Sequence, residues 1–215
     1  MFINIHTHKA IFDANVELVT LHPTEAGTPH NYSYGLHPWR IENDYEKILE
    51  KLRVVAHDRR CIAIGECGLD KIKPIDFETQ IKVFETQIEL ANELDKPLII
   101  HCVKAFNELQ SVLKKKKNKV PVIVHGFDNN LNIAKTLLAD GMLLSFGKAL
   151  LTYASNASEV IKHVKRNNFF LETDDADVSI KYIYKKAAEI LGIDEDVLQQ
   201  QLKYNYQRVF KEEIL

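Results

Sequence analysis

Six side chains of metal-binding type fall where the apolar runs of this chain end, in the order His6, His8, Glu66, His101, His125 and Asp174. His6 and His8 lie two apart on an extended segment, so both leave the same face of the strand and can grip one ion. Glu66 follows Ala63-Ile64-Gly65, and a carboxylate at the end of so apolar a run is costly unless it is paired or coordinates a cation. One carboxylate can also bridge two ions. His101 and His125 each close an aliphatic run, where a lone histidine reads as a satisfied core residue; two in the same register on adjacent strands read as ligands. Asp174 sits among Glu172, Asp175 and Asp177, a density of negative charge that needs cations or many hydrogen bonds. The six divide into His6, His8 and Asp174 with Glu66 for one ion, and Glu66 with His101 and His125 for another. Two ions roughly 3.5–4 Å apart are the standard device for in-line phosphodiester hydrolysis, one making hydroxide from water near neutral pH and the pair stabilising charge on both oxygens. Asp174 is the natural group to orient and deprotonate that water.

Ligands spread over the whole chain must be gathered by a repeating scaffold. Eight apolar segments, 2–6, 16–21, 32–36, 62–66, 97–101, 122–125, 142–146 and 168–172, have the continuous character of strands buried on both faces of a parallel sheet. From the third onward they alternate with helical patterns at 44–57, 75–94, 105–117, 130–140, 156–166, 179–191 and 194–211. The strongest is 75–94, where Phe77, Ile81, Phe84, Ile88, Ala91 and Leu94 recur at near-helical spacing. Asn156 with Glu159 has the form of a capping box, and Gly192 after Leu191 fits a helix stop. Repeated strand–helix alternation with eight candidate strands implies an α/β protein with a (β/α)8 TIM barrel. Only His8–Asn15 and His22–Asn31 separate the first three strands, and neither reads as a helix. The first two barrel helices are therefore expected to be missing or reduced, leaving the face of strands 1 to 3 thinly covered and open to a homodimer contact.

No Pro/Gly/Ser-rich or charge-biased stretch divides the 215 residues, so one domain over 1–215 is expected. Lys+Arg total 28 against 30 Asp+Glu, which excludes a molecule-wide field towards polyanions and makes any nucleic-acid contact local. Cys61, Cys67 and Cys102 form no CxxC pair and are odd in number, as expected of a reducing compartment. With no cationic-then-apolar leader and no run of membrane-spanning length, a cytoplasmic protein without membrane contact is expected.

The ordered set His6-Thr7-His8, Gly35-Leu36-His37-Pro38, Ala63-Ile64-Gly65-Glu66-Cys67-Gly68-Leu69-Asp70, Ile99-Ile100-His101, Val124-His125-Gly126-Phe127, Leu171-Glu172-Thr173-Asp174 and Asn205-Tyr206-Gln207-Arg208-Val209-Phe210 resembles the TatD family of metal-dependent deoxyribonucleases, amidohydrolase-like TIM barrels. The resemblance implies that His6, His8, Glu66, His101, His125 and Asp174 are metal ligands, with Glu66 bridging and Asp174 at the nucleophilic water. It implies that His37 lines the site and contacts substrate phosphate. It also implies a DNA substrate, taken as a single strand or from a 3′ end. The chain departs from the family pattern after His101, where Cys102-Val103-Lys104 replaces an Arg-Asp pair, after Asp174, where Asp175-Ala176-Asp177 replaces a proline and a loop, and after Asp70, which Lys71-Ile72 follows. These changes fall on substrate contacts and spare the ligands.

Lys71, Lys104 and Lys148 lie just past strand ends, and Lys104 and Lys148 are the candidates to supply phosphate charge. Lys114–Lys117 ends a predicted helix ahead of strand 6 and belongs at the face opposite the site. Tyr34, Trp39 and Phe127 flank His37 and His125, where an aromatic either stacks on a base or packs in the rim. Two divalent ions are expected; imidazole-rich sites suit Zn, Mn, Fe or Co, whereas the resemblance implies Mg. The leading expectation is a two-metal deoxyribonuclease. The alternative is a binuclear amidohydrolase acting on a small amide, ester or lactone, and a non-catalytic binding protein is the third reading, opposed by retention of every ligand.

Overall fold

The computed structural model describes residues 1–23, 25 and 30–213. Eight strands form one sheet in sequential order: β1 (Ile3–Thr7), β2 (Val16–Leu21), β3 (Tyr32–Tyr34), β4 (Cys61–Asp70), β5 (Leu98–Val103), β6 (Val122–Val124), β7 (Leu143–Phe146) and β8 (Phe169–Leu171). Among the described residues the helices are α1 (Tyr45–Val55), α2 (Phe77–Leu94), α3 (Phe106–Lys115), α4 (Leu131–Ala139), α5 (Asn156–Val160), α6 (Ile180–Leu191) and α7 (Glu195–Phe210). Thr7 pairs back with Asp174 beyond β8, so the last strand joins the first, the arrangement of a (β/α)8 barrel. The described residues of 8–15 and 22–31 form no helix, as their length and composition require.

Three expectations change in detail. The strand carrying Glu66 does not end there but runs on to Asp70, because Cys67, Gly68, Leu69 and Asp70 pair with Ile100, His101, Cys102 and Val103. The helical pattern at 156–166 becomes a five-residue helix followed by a turn of 3-10 helix, and its cap is Ser155, which accepts from Ser158 N–H at 3.1 Å, rather than Asn156. The first strand is not bare: α7 packs on β1, and Tyr184 of α6 both donates to Ile3 O and accepts from Ile3 N–H at 3.1 Å. Gly192 does end α6, in the left-handed region at φ 64.

Contacts gather in two compact units, a terminal unit of residues 1–19 with 124–215 and a central unit of 20–123. In the terminal unit β7 and β8 pair in strict register, Leu144 with Phe169 through Phe146 with Leu171. Its core is aromatic: Phe146 meets Phe127 and Phe169 edge-on at 6.1 and 5.9 Å, and Tyr206 stacks on Phe210 at 4.7 Å. Each such buried ring contributes roughly 1.5–3 kcal/mol. Asn205 ties α7 to the start of β8, donating to Arg166 O at 2.8 Å and Phe169 O at 2.9 Å.

In the central unit α2 buries Val83, Phe84, Ile88, Leu90 and Ala91. Asp76 caps its first turn, accepting from Thr79 N–H at 2.8 Å. The same buried stripe carries Gln80 and Gln87, whose amides are spent on backbone: Gln80 accepts from Asp70 N–H at 2.8 Å and donates to Asp70 O at 3.0 Å, while Gln87 does the same for Leu36 at 2.8 and 3.1 Å. One helix thereby holds the end of β4 and the loop before His37. Gly65 and Gly68, at φ 151 and 139, allow β5 to come close; a Cβ on Gly68 would lie 2.0 Å from His101 O. Lys115 and Lys116 pair with Glu85 and Glu89 of α2, so two of the four lysines of the run are spent on contacts with a neighbouring helix.

Candidate metal centre

Both units place ligands where a strand slips register. In β1 the pairing with β2 shifts by one between Asn4 and Thr7, around His6, and in β4 the pairing with β5 shifts between Ile64 and Cys67, around Glu66. A bulge re-aims a side chain that strict alternation would send elsewhere.

In the terminal unit, main-chain bonds assemble the cluster. His8 N–H donates to Asp174 O and Asp174 N–H to His6 O, each at 3.0 Å. Asn4 locks the neighbouring turn, its amide donating to Thr173 Oγ1 at 2.8 Å and its Oδ1 accepting from Thr173 N–H at 3.1 Å. Asp174, at φ 55, directs Oδ1 to within 3.4 Å of His6 Nε2 and 3.5 Å of His8 Nε2. Those separations are looser than hydrogen bonds and suit donors that share a cation. His125, just past β6, lies with its ring 4.3 Å from that of His6, and donor atoms of His6, His125 and Asp174 all fall within 4.8 Å of one another. Behind His125 the fully buried Glu172 accepts from Gly126 N–H at 2.7 Å and approaches His125 Nδ1 at 3.3 Å. A carboxylate there keeps the proton on Nδ1 and presents Nε2 as the ligand atom.

In the central unit the cluster is His37, Glu66 and His101. Glu66 Oε1 lies 3.0 Å from His37 Nε2 and 3.1 Å from His101 Nδ1. His37 Nδ1 accepts from Trp39 N–H at 3.0 Å, so in the neutral ring Nε2 carries the proton and donates to Glu66. His37 is therefore a donor rather than a ligand. On the far side of His101, Nε2 meets Asp70 Oδ2 at 3.1 Å. Burial works to raise the Asp70 pKa, but donors from Trp39, Ile72 and His101 outweigh it and hold the carboxyl below its usual range. With the Nε2 proton given to Asp70, His101 Nδ1 and Glu66 Oε1 face each other as two acceptors, a pairing that fits a cation. The donor chemistry of both clusters thus fits divalent metal.

The six predicted ligands divide four and two between the units, and His37 accompanies Glu66 and His101. Lys104 follows β5 in the left-handed region at φ 53 and is exposed. Lys148 is paired with Asp175, whose hydrogen bond raises its pKa, and Lys71 is paired with Glu108 at 2.6 Å. Tyr34 and Phe127 are buried in the core, and of the three flanking aromatics Trp39 alone stays half-exposed. Burial pushes the Cys67 and Cys102 thiols up, the latter to about 12, which leaves both out of the donor set. Gln80, Gln87, Asn4 and the bracing roles of Asp70 and Glu172 were missed by the sequence reading. The signal available was two glutamines seven apart on an otherwise apolar helix stripe, since buried amides must be satisfied.

Comparison with known proteins shows what the chain is similar to. An uncharacterised metal-dependent hydrolase of Buchnera aphidicola is 31% identical over 146 residues, covering 66% of this chain and 54% of that protein. The 3′-5′ ssDNA/RNA exonuclease TatD of Yersinia pseudotuberculosis is 33% identical over 110 residues, covering 50% of this chain and 42% of that protein. The chain thus spans about half the length of these relatives. The crystal structure of YjjV, a TatD homologue from Escherichia coli, superposes with a TM-score of 0.80 at 23% identity, over 92% of this chain and 88% of that one. The family described as TatD related DNase matches residues 2–211, and the chain belongs to that family of metal-dependent hydrolases.

Proposed function

We propose that the chain is a deoxyribonuclease that hydrolyses phosphodiester bonds of single-stranded DNA or of 3′ ends with two divalent ions, acting as one catalytic domain. The observation that carries this reading is the complete donor set, His6, His8, His125 and Asp174 in one unit and Glu66 with His101 in the other, accompanied by the donor His37. The exonuclease name of the Yersinia relative supports a nucleic-acid substrate. When bound, the ions supply Lewis acidity, lowering the pKa of a water and offsetting charge on phosphate oxygens. Asp174, beside His6 and His8 and partly exposed, orients the attacking water and takes its proton. His37, whose Nε2 lies 3.0 Å from Glu66, offers that proton to a phosphate oxygen. In this reading Glu66 would hold metal in the bridging role that the family resemblance implies, and Lys104 and Lys148 meet the backbone of the strand, Lys148 after leaving Asp175. Mg, Mn and Zn are the candidate ions.

The test is cleavage of 5′-labelled and 3′-labelled oligonucleotides, single- and double-stranded, by chelator-stripped protein with each ion added back. Shortening from the 3′ end that requires added metal is the expected result; full cleavage by the stripped protein refutes the mechanism. One observation favours a second reading, hydrolysis of a small amide, ester or lactone: Lys71 and Lys148 are already neutralised by carboxylates, which leaves less charge for a polyanion. Turnover of simple esters or lactones with no cleavage of DNA decides for it.

A further inference from the structure

The chain has one tryptophan, and its indole shares a carboxylate oxygen with a proposed metal ligand. Trp39 Nε1–H donates to Asp70 Oδ2 at 2.6 Å, and His101 Nε2 approaches that same oxygen at 3.1 Å. Asp70 is buried and has no freedom to turn away: Ile72 N–H donates to its Oδ1 at 2.8 Å, and Gln80 clamps its backbone on both sides. The indole is likewise held, with the Lys73 ammonium 3.8 Å over its ring. A carboxylate accepts and does not donate, so both the indole and the imidazole must bring their protons to Oδ2. The proton on His101 is thereby fixed on Nε2, and Nδ1 is turned to Glu66.

We propose that Asp70 is a positioning residue that selects the metal-binding tautomer of His101 and couples that ligand to Trp39, so that the lone tryptophan senses ion loading at the central cluster. The inference rests on the metal reading above. An ion on Nδ1 polarises the ring and strengthens the Nε2–H bond to Asp70, which weakens the competing bond from the indole. Trp39, half in solvent, converts that change into altered emission.

The experiment uses the full chain, stripped by chelator and titrated with Zn2+, followed by tryptophan emission, metal stoichiometry and long-range 1H–15N spectra of the histidine rings. In the unsubstituted protein His101 is expected as the Nε2–H tautomer, with its Nδ1 resonance shifted by Zn2+ and the emission changing over the same concentrations. Asp70→Asn, which puts an amide donor or a poorer acceptor at Oδ2, is expected to weaken one Zn2+ site about 10–100-fold, the usual effect of losing such a partner, and to mix the tautomers. Trp39→Phe is expected to keep the tautomer. A His101 ring protonated on Nδ1 in the unsubstituted chain overturns the proposal whether or not the variant folds. So does Asp70→Asn with unchanged Zn2+ affinity and an unchanged tautomer. His101→Ala separates the two levels: a full complement of Zn2+ in that variant defeats the metal reading itself, whereas loss of one ion there without an Asp70→Asn effect defeats only the positioning role.

Discussion

The two ligand clusters are built by different means. In the terminal unit His6, His8 and Asp174 are set by main-chain hydrogen bonds between β1 and the segment after β8, so their positions follow from strand pairing itself. In the central unit His37, Glu66 and His101 depend on side chains outside the cluster, with Gln80, Gln87 and Asp70 supplying the geometry. Backbone pairing tolerates substitution around it; a clamp made of buried amides fails when one member is lost. Asn4 and Glu172 apart, the terminal cluster should therefore be less sensitive than the central one to changes beyond its ligands.

The largest expected effects strike the ligands and test whether the clusters load independently. His101→Ala and His125→Ala should each strip one ion, by elemental analysis, and remove nearly all hydrolysis without unfolding the chain; loss of both ions from either variant would erase the distinction. Asp174→Asn should lower turnover by about 10²–10⁴-fold, the weight of a general base, measured with ions at saturation. Gln80→Leu leaves the buried N–H and C=O of Asp70 without the partners seen here, and should cost about 1–3 kcal/mol of stability for each group in urea titrations. It should also weaken ion binding at the central cluster alone. Lys148→Ala should change stability by less than about 1 kcal/mol, as an exposed pair, and flatten the salt dependence of DNA binding by about one unit of log–log slope. A separate effect, read in pH, belongs to a histidine in neither cluster. Burial, aided by Arg40, pushes His22 down from 6.5 to about 4, so the unfolded chain binds more protons across that window. Stability should fall as pH drops from 6.5 towards 4, and less steeply in His22→Gln.

The same contrast explains what could be read from the sequence. Strand ends and ligand types are local signals: β-branched and aliphatic runs placed all eight strands, short connections the lack of helix in the described residues of 8–15 and 22–31, and Gly192 the helix stop. Glu66 misled in one respect: an apolar run followed by Glu-Cys-Gly looks finished, because nothing local shows that β5 reaches far enough to pair with Cys67–Asp70. Rim residues were harder still. Whether Tyr34 faces a ligand or the core turns on its hydroxyl reaching Pro23 O at 2.9 Å, and the pairing of Lys148 with Asp175 on a contact 27 residues distant. Asn156 lost its capping role to Ser155 because both are good caps and the hydrogen bond alone chooses between them.

The division of the chain also sets an order in time. Residues 20–123 are continuous, so every contact of the central unit is available once that stretch has left the ribosome, and Glu66 can meet His101 early. His6 and His8, made before that stretch, must wait for Asp174 to be synthesised. Until then β1 lacks its partner beyond β8, and the two imidazoles lack the carboxylate that the finished fold sets beside them.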